Sequence, residues 1–177
     1  MKRFGVVLCV IVVAIACRRA ATQQRATPFD RNAFILTTLQ TTLANNDLGA
    51  IAARRGRRPE TRQFGATMHR EQHQLFVQLS AIAQREKIAV PTAIDAKQQA
   101  LKENLAILPG EMFDRGYTLA MLQDANAMTA SFRAASTCGD AQVENFAKQN
   151  LPMIAGEQQS AAALLKSLGG SPFGFVP

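Results

Sequence analysis

Residues 111–132 read Glu-Met-Phe-Asp-Arg-Gly-Tyr-Thr-Leu-Ala-Met-Leu-Gln-Asp-Ala-Asn-Ala-Met-Thr-Ala-Ser-Phe, and this stretch decides the fold. Its large apolar side chains recur at steps of four or seven residues, and alanines occupy the narrow places between them. They are Phe113, Tyr117, Met121, Met128 and Phe132. Because an α-helix completes a turn every 3.6 residues, this spacing puts them on one face of one long helix. A helix with such a face needs other helices to cover it.

A similar periodicity recurs along the chain and predicts further helices at residues 30–55, 59–87, 94–108 and 140–168. The expected buried stripe of the first helix is Ile35, Leu36, Leu39, Leu43 and Ile51. Pro152 inside the last helix predicts a kink, because proline removes a backbone hydrogen bond. The sequence therefore predicts an all-α fold, an antiparallel four-helix bundle over residues 30–168. The short helix at 94–108 is an extra element in its crossover.

The first segment has the pattern of an export signal. Lys2 and Arg3 precede an apolar run that is too short to cross the roughly 30 Å core of a bilayer as a helix. The run ends Val-Ala-Ile-Ala-Cys, which resembles a lipoprotein box, in which the cysteine is lipidated and becomes the first residue. We therefore predict a signal peptide at residues 1–16 and lipidation of Cys17. Cleavage without lipidation, after Ala16 or a few residues later, is the alternative.

The remaining cysteines provide no disulfide framework. Cys9 lies within the signal, and Cys138 then has no intramolecular partner beside a lipidated Cys17, so we interpret it as an incidental thiol. Residues 17–29 are polar and small and predict a flexible tether between the anchor and the bundle. Residues 169–177 contain three glycines and two prolines beyond the last helix and predict an irregular tail.

The chain is basic, with a formal net charge of +7, and part of that charge is concentrated in one place. Five arginines fall within nine residues, at Arg54, Arg55, Arg57, Arg58 and Arg62. For an exported protein, such a cluster favours an anionic envelope surface over nucleic acid, and no aromatic residue is interleaved for base stacking. The alternative is a solvated corner between two helices.

Polar residues interrupt the apolar stripes near the middle of each long helix. They are Asn45, Gln72, Asp124 and Glu157. If these residues converge, two carboxylates and two amides offer a hard cation its preferred oxygen ligands. The alternative is a buried hydrogen-bonded polar layer, because polar groups in a core have to satisfy one another. No Glu-x-x-His motif of a di-iron site occurs in the chain.

The two histidines, His69 and His73, stand one helical turn apart on the second predicted helix. They share a face and offer a weak surface site for copper or zinc. However, Arg70 follows His69 where a zinc-protease helix has glutamate. Their position about 100° from the buried stripe predicts a solvated pair.

Several short patterns together resemble the bacterial family known as domain of unknown function 4142. The patterns are Phe64-x₃-Met68, Pro91-Thr92, Phe113-Asp114-x₂-Tyr117-x₃-Met121-x₂-Asp124 and Phe146-Ala147-x₃-Leu151-Pro152. The resemblance covers about residues 34–168 and implies an exported, ferritin-like helical protein of the outer membrane or a lipoprotein. The family's three histidines correspond here to Gln72, Ala125 and Glu157, so the resemblance implies a divergent member to which no metal role is transferred.

These patterns favour a non-catalytic cell-envelope bundle, periplasmic or anchored in the outer membrane, that binds a protein partner or an anionic surface. No phosphate-binding loop, nucleophile elbow or cysteine pair indicates a catalytic reaction, and no cofactor is predicted. The alternative is a metal-binding or redox protein that uses the polar residues of the bundle centre. Nucleic-acid binding through the arginine cluster is a third, weaker hypothesis.

Overall fold

The computed structural model describes residues 29–169, and within this range it contains five α-helices. They are α1 (Arg31–Arg55), α2 (Pro59–Arg85), α3 (Ala96–Ala106), α4 (Gly110–Ala135) and α5 (Ala141–Ser167). The all-α prediction is confirmed, and each predicted helix end lies within three residues of the observed one. The predicted signal peptide, Cys17 and most of the tail lie outside the described residues. Among residues 29–169, no helix is both long and apolar enough to cross a membrane.

Local capping fixes where the helices begin. The Asp30 carboxylate accepts a hydrogen bond from the Ala33 amide at the start of α1. Asp95 and Asp140 cap α3 and α5 in the same way. Each carboxylate satisfies N–H groups that have no partner within the helix. Pro59 opens α2, where its missing N–H costs nothing.

The helices form two hairpins, α1 with α2 and α4 with α5, which pack together so that α1 also meets α4 and α2 also meets α5. All four neighbouring pairs are antiparallel. The chain returns from the end of α2 to the start of α4 through α3, which lies against α1 and α4. An ion pair between Lys102 and Asp47, 2.9 Å from Nζ to Oδ2, joins α3 to α1. The predicted bundle with one crossover helix is confirmed, and a single long crossover is the connectivity of ferritin-like folds.

The α1–α2 hairpin packs closely because two glycines lie at its contact. A Cβ atom built on Gly49 would stand 2.6 Å from the backbone nitrogen of His69. One built on Gly65 would stand 2.6 Å from the backbone nitrogen of Ala53. Real Cβ atoms do not approach backbone atoms this closely, so only glycine permits this helix separation.

The hydrophobic core divides into two clusters, one toward each end of the bundle. The first cluster includes Phe34, Leu39, Leu75, Leu79, Phe132, Val143 and Phe146. The second includes Leu48, Phe64, Met68, Phe113, Tyr117, Met121, Leu164 and Leu165. Helix α4 contributes large side chains to both clusters, because its apolar face runs along its whole length.

The predicted stripe of α1 needs a correction. Ile35 and Leu39 are fully buried, but Leu36 is 41% exposed and Leu43 is only half-buried. The buried face continues instead through Thr42, Asn45, Leu48, Gly49 and Ala52. Several of these residues are polar or small, so the stripe predicted from large apolar residues is offset by about one position from the face of α1 that is buried. In α5, the helix continues through Pro152, and its buried face takes up again at Ile154.

Candidate functional site

The four polar residues predicted at the middle of the long helices lie at one level of the bundle, between the two apolar clusters. On α1, α2 and α5 they are Asn45, Gln72 and Glu157, and all three are buried. Asp124 on α4 is half-buried. We call these four residues the polar layer. Their common level follows from the helices being antiparallel and nearly equal in length.

Glu157 and Gln72 are paired directly across the α2–α5 interface. The Gln72 amide nitrogen donates to both carboxylate oxygens of Glu157, at 2.9 and 2.8 Å. Burial raises the pKa of the Glu157 carboxyl to about 7, the Gln72 amide offsets part of that rise, and the charge of Glu71 adds to it. Glu157 is therefore a buried carboxyl that changes its charge near neutral pH.

Asp124 on α4 and Asn45 on α1 lie near each other in the same layer, but no hydrogen bond of standard geometry joins them. Burial raises the pKa of Asp124, while the Asn45 amide and the positive charge of Lys97 oppose the rise. Asn45 Oδ1 and Asp124 Oδ2 are both buried and accept no hydrogen bond within the described chain. The polar layer thus contains one hydrogen-bonded carboxyl–amide pair, Gln72 with Glu157, and it is incompletely satisfied.

Other buried polar atoms near Glu157 also have no partner within residues 29–169. They are Gln72 Oε1 and the Tyr117 hydroxyl. Burial raises the pKa of Tyr117, and the charge of Glu157 adds to that effect, so the phenol stays protonated and remains a donor. A buried polar atom without a partner carries a desolvation cost of about 1–3 kcal/mol. This region therefore has spare hydrogen-bonding capacity.

The layer does not form a recognisable transition-metal centre. Within residues 29–169, no group of three or more histidine, cysteine, aspartate or glutamate side chains is placed to hold a metal ion. What the layer offers is carboxylate and amide oxygen, which suits a hard cation better than iron or zinc.

The two histidines are both exposed on α2. His69 contacts the end of the Asn46 side chain, with 2.9 Å between Asn46 Nδ2 and His69 Nδ1, and Asn46 Nδ2 also donates to the His69 carbonyl at 2.7 Å. His69 thus helps to hold α1 against α2. The pair lies outside the polar layer, as its helical position predicted.

The arginine cluster lies at the end of the bundle where α1 and α5 finish and α2 and α4 begin. Three of its side chains bond to backbone carbonyls: Arg55 to Leu108, Arg58 to Ser167, and Arg62 to Gly56 and Arg57. Arg55 also lies 4.9 Å above the Phe113 ring. These guanidiniums compensate carbonyls that have no partner within a helix. The side chains of Arg54 and Arg57 make no hydrogen bond or ion pair with another described residue.

Asp114 secures this end of the bundle, although the sequence pattern does not mark it as a site residue. It is fully buried at the start of α4. Its two carboxylate oxygens each accept a hydrogen bond of 2.9 Å, from the backbone N–H groups of Arg57 and Arg58. The carboxylate therefore ties the α1–α2 turn to α4. The available signal was an acid one turn before Tyr117 on a face that is otherwise apolar.

Cys138 is a half-buried free thiol whose Sγ lies 4.0 Å from the Asp140 carbonyl oxygen. It contacts the first core cluster. The interpretation of Cys138 as an incidental thiol stays a prediction.

The sequence also matches a known protein family. The model of the family described as a domain of unknown function, DUF4142, matches residues 16–164. The chain belongs to this family. Among solved structures, a crystal structure of a DUF305 fragment from Deinococcus radiodurans superimposes with a TM-score of 0.68. That alignment covers 80% of this chain and 99% of the fragment at 19% sequence identity, so it shows a shared fold. No curated protein matches the sequence.

Proposed function

We propose that this member of the DUF4142 family is an exported, non-catalytic bundle of the cell envelope that attaches through its arginine end to an anionic surface. The arginine end comprises residues 54–62 together with Arg115 and Lys166. The observation that carries the proposal is the separation of charge along the bundle. Export, lipidation of Cys17 and placement in the periplasm or at the outer membrane are part of the same proposal and rest on the sequence of residues 1–17.

The charge separation follows from the sequence and the fold together. Five of the chain's positive charges lie in residues 1–28, which leaves +2 of the total +7 on residues 29–169. The arginine end carries seven basic side chains against Glu60, Glu111 and Asp114, a net +4. The rest of the described bundle is therefore −2. A potential of one sign at one end orients a protein toward an anionic surface.

The position of the predicted tether indicates which end of the bundle would face away from the lipid anchor. Asp30 and the start of α1 lie at the end opposite the arginine end, and the 25 residues of α1 span about 37 Å. A lipid on Cys17 would hold the far end of the bundle. The arginine end is then presented to a second anionic surface or to an acidic partner.

Vesicle binding tests this proposal. Purified full-length protein is mixed with phosphatidylglycerol vesicles or phosphatidylcholine vesicles, and the bound fraction is measured by flotation. We expect a preference for the anionic vesicles that declines with salt. The double variant Arg54→Ala/Arg57→Ala should bind about 30-fold more weakly, since each basic residue near such a surface contributes about 1 kcal/mol. The apolar N-terminal segment is common to all variants and cancels in the comparison.

The matched control is Lys87→Ala/Arg133→Ala, which removes the same charge from exposed positions at the other end of the bundle. If both double variants lose binding equally, net charge and not the arginine end is responsible. Mass spectrometry of the mature N-terminus tests the lipid on Cys17 separately.

A second candidate function, metal binding in the polar layer, is favoured by one specific observation. Asn45 Oδ1 and Asp124 Oδ2 are buried oxygens without partners, and a cation would satisfy both. Elemental analysis of the purified protein tests this function. Stoichiometric metal that is lost in Asp124→Asn would support it. Metal that persists in the variant would place the ion elsewhere.

A further inference from the structure

A continuous groove runs along the outside of the bundle between α2 and α5, which pack least closely of the four neighbouring pairs. It consists of two cavities of about 390 and 280 Å³. Both cavities are lined by Phe64, Thr67 and Ser160, so they join into one groove. The groove reaches from Ser167, near the arginine end, to Glu157 in the polar layer.

The groove exists because α5 presents small side chains to it. Gly156, Ser160 and Ala163 line it at steps of about one turn. A Cβ atom built on Gly156 would meet no atom within 4 Å. The floor is apolar, formed by the Phe64 ring and Leu164. The side chains of α5 therefore leave the groove open, and its floor offers a ligand an apolar surface.

The charged residues lining the groove are all acidic, although the protein as a whole is basic. They are Glu60, Glu71 and Glu157. Glu60 makes no ion pair with another described residue, and Glu71 has only a 3.5 Å contact with Arg70, which is largely exposed. Arg58 lies near the Ser167 end, but Glu111 at 3.7 Å and the Ser167 carbonyl occupy its guanidinium. The lining of the groove thus carries charges of negative sign only, although its Ser167 end adjoins the arginine end.

At the Glu157 end of the groove, some buried polar atoms have no hydrogen-bond partner among the described residues. Glu157 is 4% exposed, and Gln72, which is fully buried, donates to it while leaving its own Oε1 unpartnered. A primary ammonium group has three N–H donors and no acceptor. Glu71 and Glu157, which line this part of the groove, are acceptors that match such a group.

The two ends of the groove suggest the length of the ligand. Glu60 and Glu71 are eleven residues apart on one helix, which corresponds to about 16 Å. We propose that the α2–α5 groove binds a linear aliphatic polyamine, with one terminal ammonium at Glu71 and Glu157 and another near Glu60. A tetraamine of the spermine type has about this length when extended. Its methylene segments would lie on Phe64 and Leu164, and its inner amines near Thr67 and Ser160.

This ligand would also change the protonation of Glu157. Because burial and Glu71 hold the pKa of that carboxyl at about 7, part of the population is protonated at pH 6.5 to 7. An ammonium placed beside it favours the carboxylate, so binding should release a proton to solvent. The proton release distinguishes this site from adsorption at exposed carboxylates, which are already ionised.

Isothermal titration of purified full-length protein with spermine tests the proposal. We expect saturable one-to-one binding near pH 6.5, with proton release revealed by two buffers of different ionisation enthalpy. Glu71→Gln and Glu157→Gln should each weaken binding about tenfold or more, because each removes a charge-assisted hydrogen bond. Gly156→Leu should weaken it similarly by filling the groove while leaving every acid in place.

The control variant is Glu103→Gln, which removes one negative charge from an exposed position on α3 away from the groove. It should bind spermine as the wild type does. The proposal is overturned if spermine shows no saturable binding, if Glu103→Gln weakens it as much as Glu71→Gln, or if Mg²⁺ at equal charge competes fully. Each of these outcomes leaves the vesicle test of the arginine end unaffected, because the two surfaces share no residue tested.

Discussion

The same substitution, glycine to alanine, should have opposite effects at two helical positions of this bundle. In both α2 and α5 the change removes backbone freedom from the unfolded chain and favours the helix by about 1 kcal/mol. At Gly156 nothing opposes this gain, because the added Cβ atom meets no atom within 4 Å. Gly156→Ala should therefore stabilise the protein by about 1 kcal/mol.

At Gly65 the added Cβ atom meets the backbone of α1. It would stand 2.6 Å from the Ala53 nitrogen, 2.8 Å from the Ala52 Cβ and 2.9 Å from the Ala52 carbonyl carbon. Main-chain atoms cannot rotate away, so α1 and α2 have to separate along their closely packed contact. Overpacking of this kind costs about 1–3 kcal/mol, and here we take the upper end. After the helix-propensity gain, Gly65→Ala should destabilise by about 2 kcal/mol.

Urea unfolding followed by circular dichroism at 222 nm measures both variants against the wild type. The two should differ by about 3 kcal/mol, which is roughly 10 °C in Tm for a protein of this size. Gly49→Ala serves as a second test of the same contact and should resemble Gly65→Ala. The reasoning is refuted if Gly65→Ala is as stable as the wild type, since α1 and α2 would then not pack at the described distance.

Two further predictions concern buried carboxylates. Asp114→Asn should lower the free energy of unfolding in urea by about 2 kcal/mol, because an amide offers one acceptor oxygen where the Arg57 and Arg58 N–H groups need two. The control Asp95→Asn, at an exposed helix cap, should be nearly neutral, and equal effects of the two variants would contradict the role given to Asp114. For Glu157, burial raises the pKa from 4.5 to about 7, so the folded state holds the proton more tightly than the unfolded chain does. The contribution of Glu157 to folding stability is fully present below about pH 4.5 and is lost as the pH rises through 7. Between pH 4.5 and 8, the free energy of unfolding of the wild type should fall by about 3 kcal/mol more than that of Glu157→Gln. Parallel pH profiles of the two proteins would exclude a buried, titrating Glu157.

For the polar layer, the sequence pattern predicted the positions of the residues but not their pairing. Each of its four residues was identifiable because it interrupts an apolar stripe, and the equal lengths of the helices bring the interruptions to one level. Which residue pairs with which was not predictable. Gln72 bonds to Glu157 because α2 neighbours α5, and that neighbourhood depends on how the two hairpins dock.

The arginine cluster shows the opposite case. In the sequence, Arg54 and Arg55 look equivalent as parts of one charged patch. In the fold, Arg55 bonds to the Leu108 carbonyl and covers Phe113, while Arg54 has no partner among the described residues. A guanidinium's availability depends on which helix ends surround it, and these ends come from distant parts of the chain.

By itself, the sequence determined the five helices and the all-α class, because helical periodicity depends on residues only a few positions apart. It also determined that the centre of the bundle is polar. Only the tertiary structure decided the close contact at Gly49 and Gly65, the burial of Asp114 against the α1–α2 turn, and the acidic groove between α2 and α5. Each of these depends on the distance between two helices, which results from the packing of all the side chains between them.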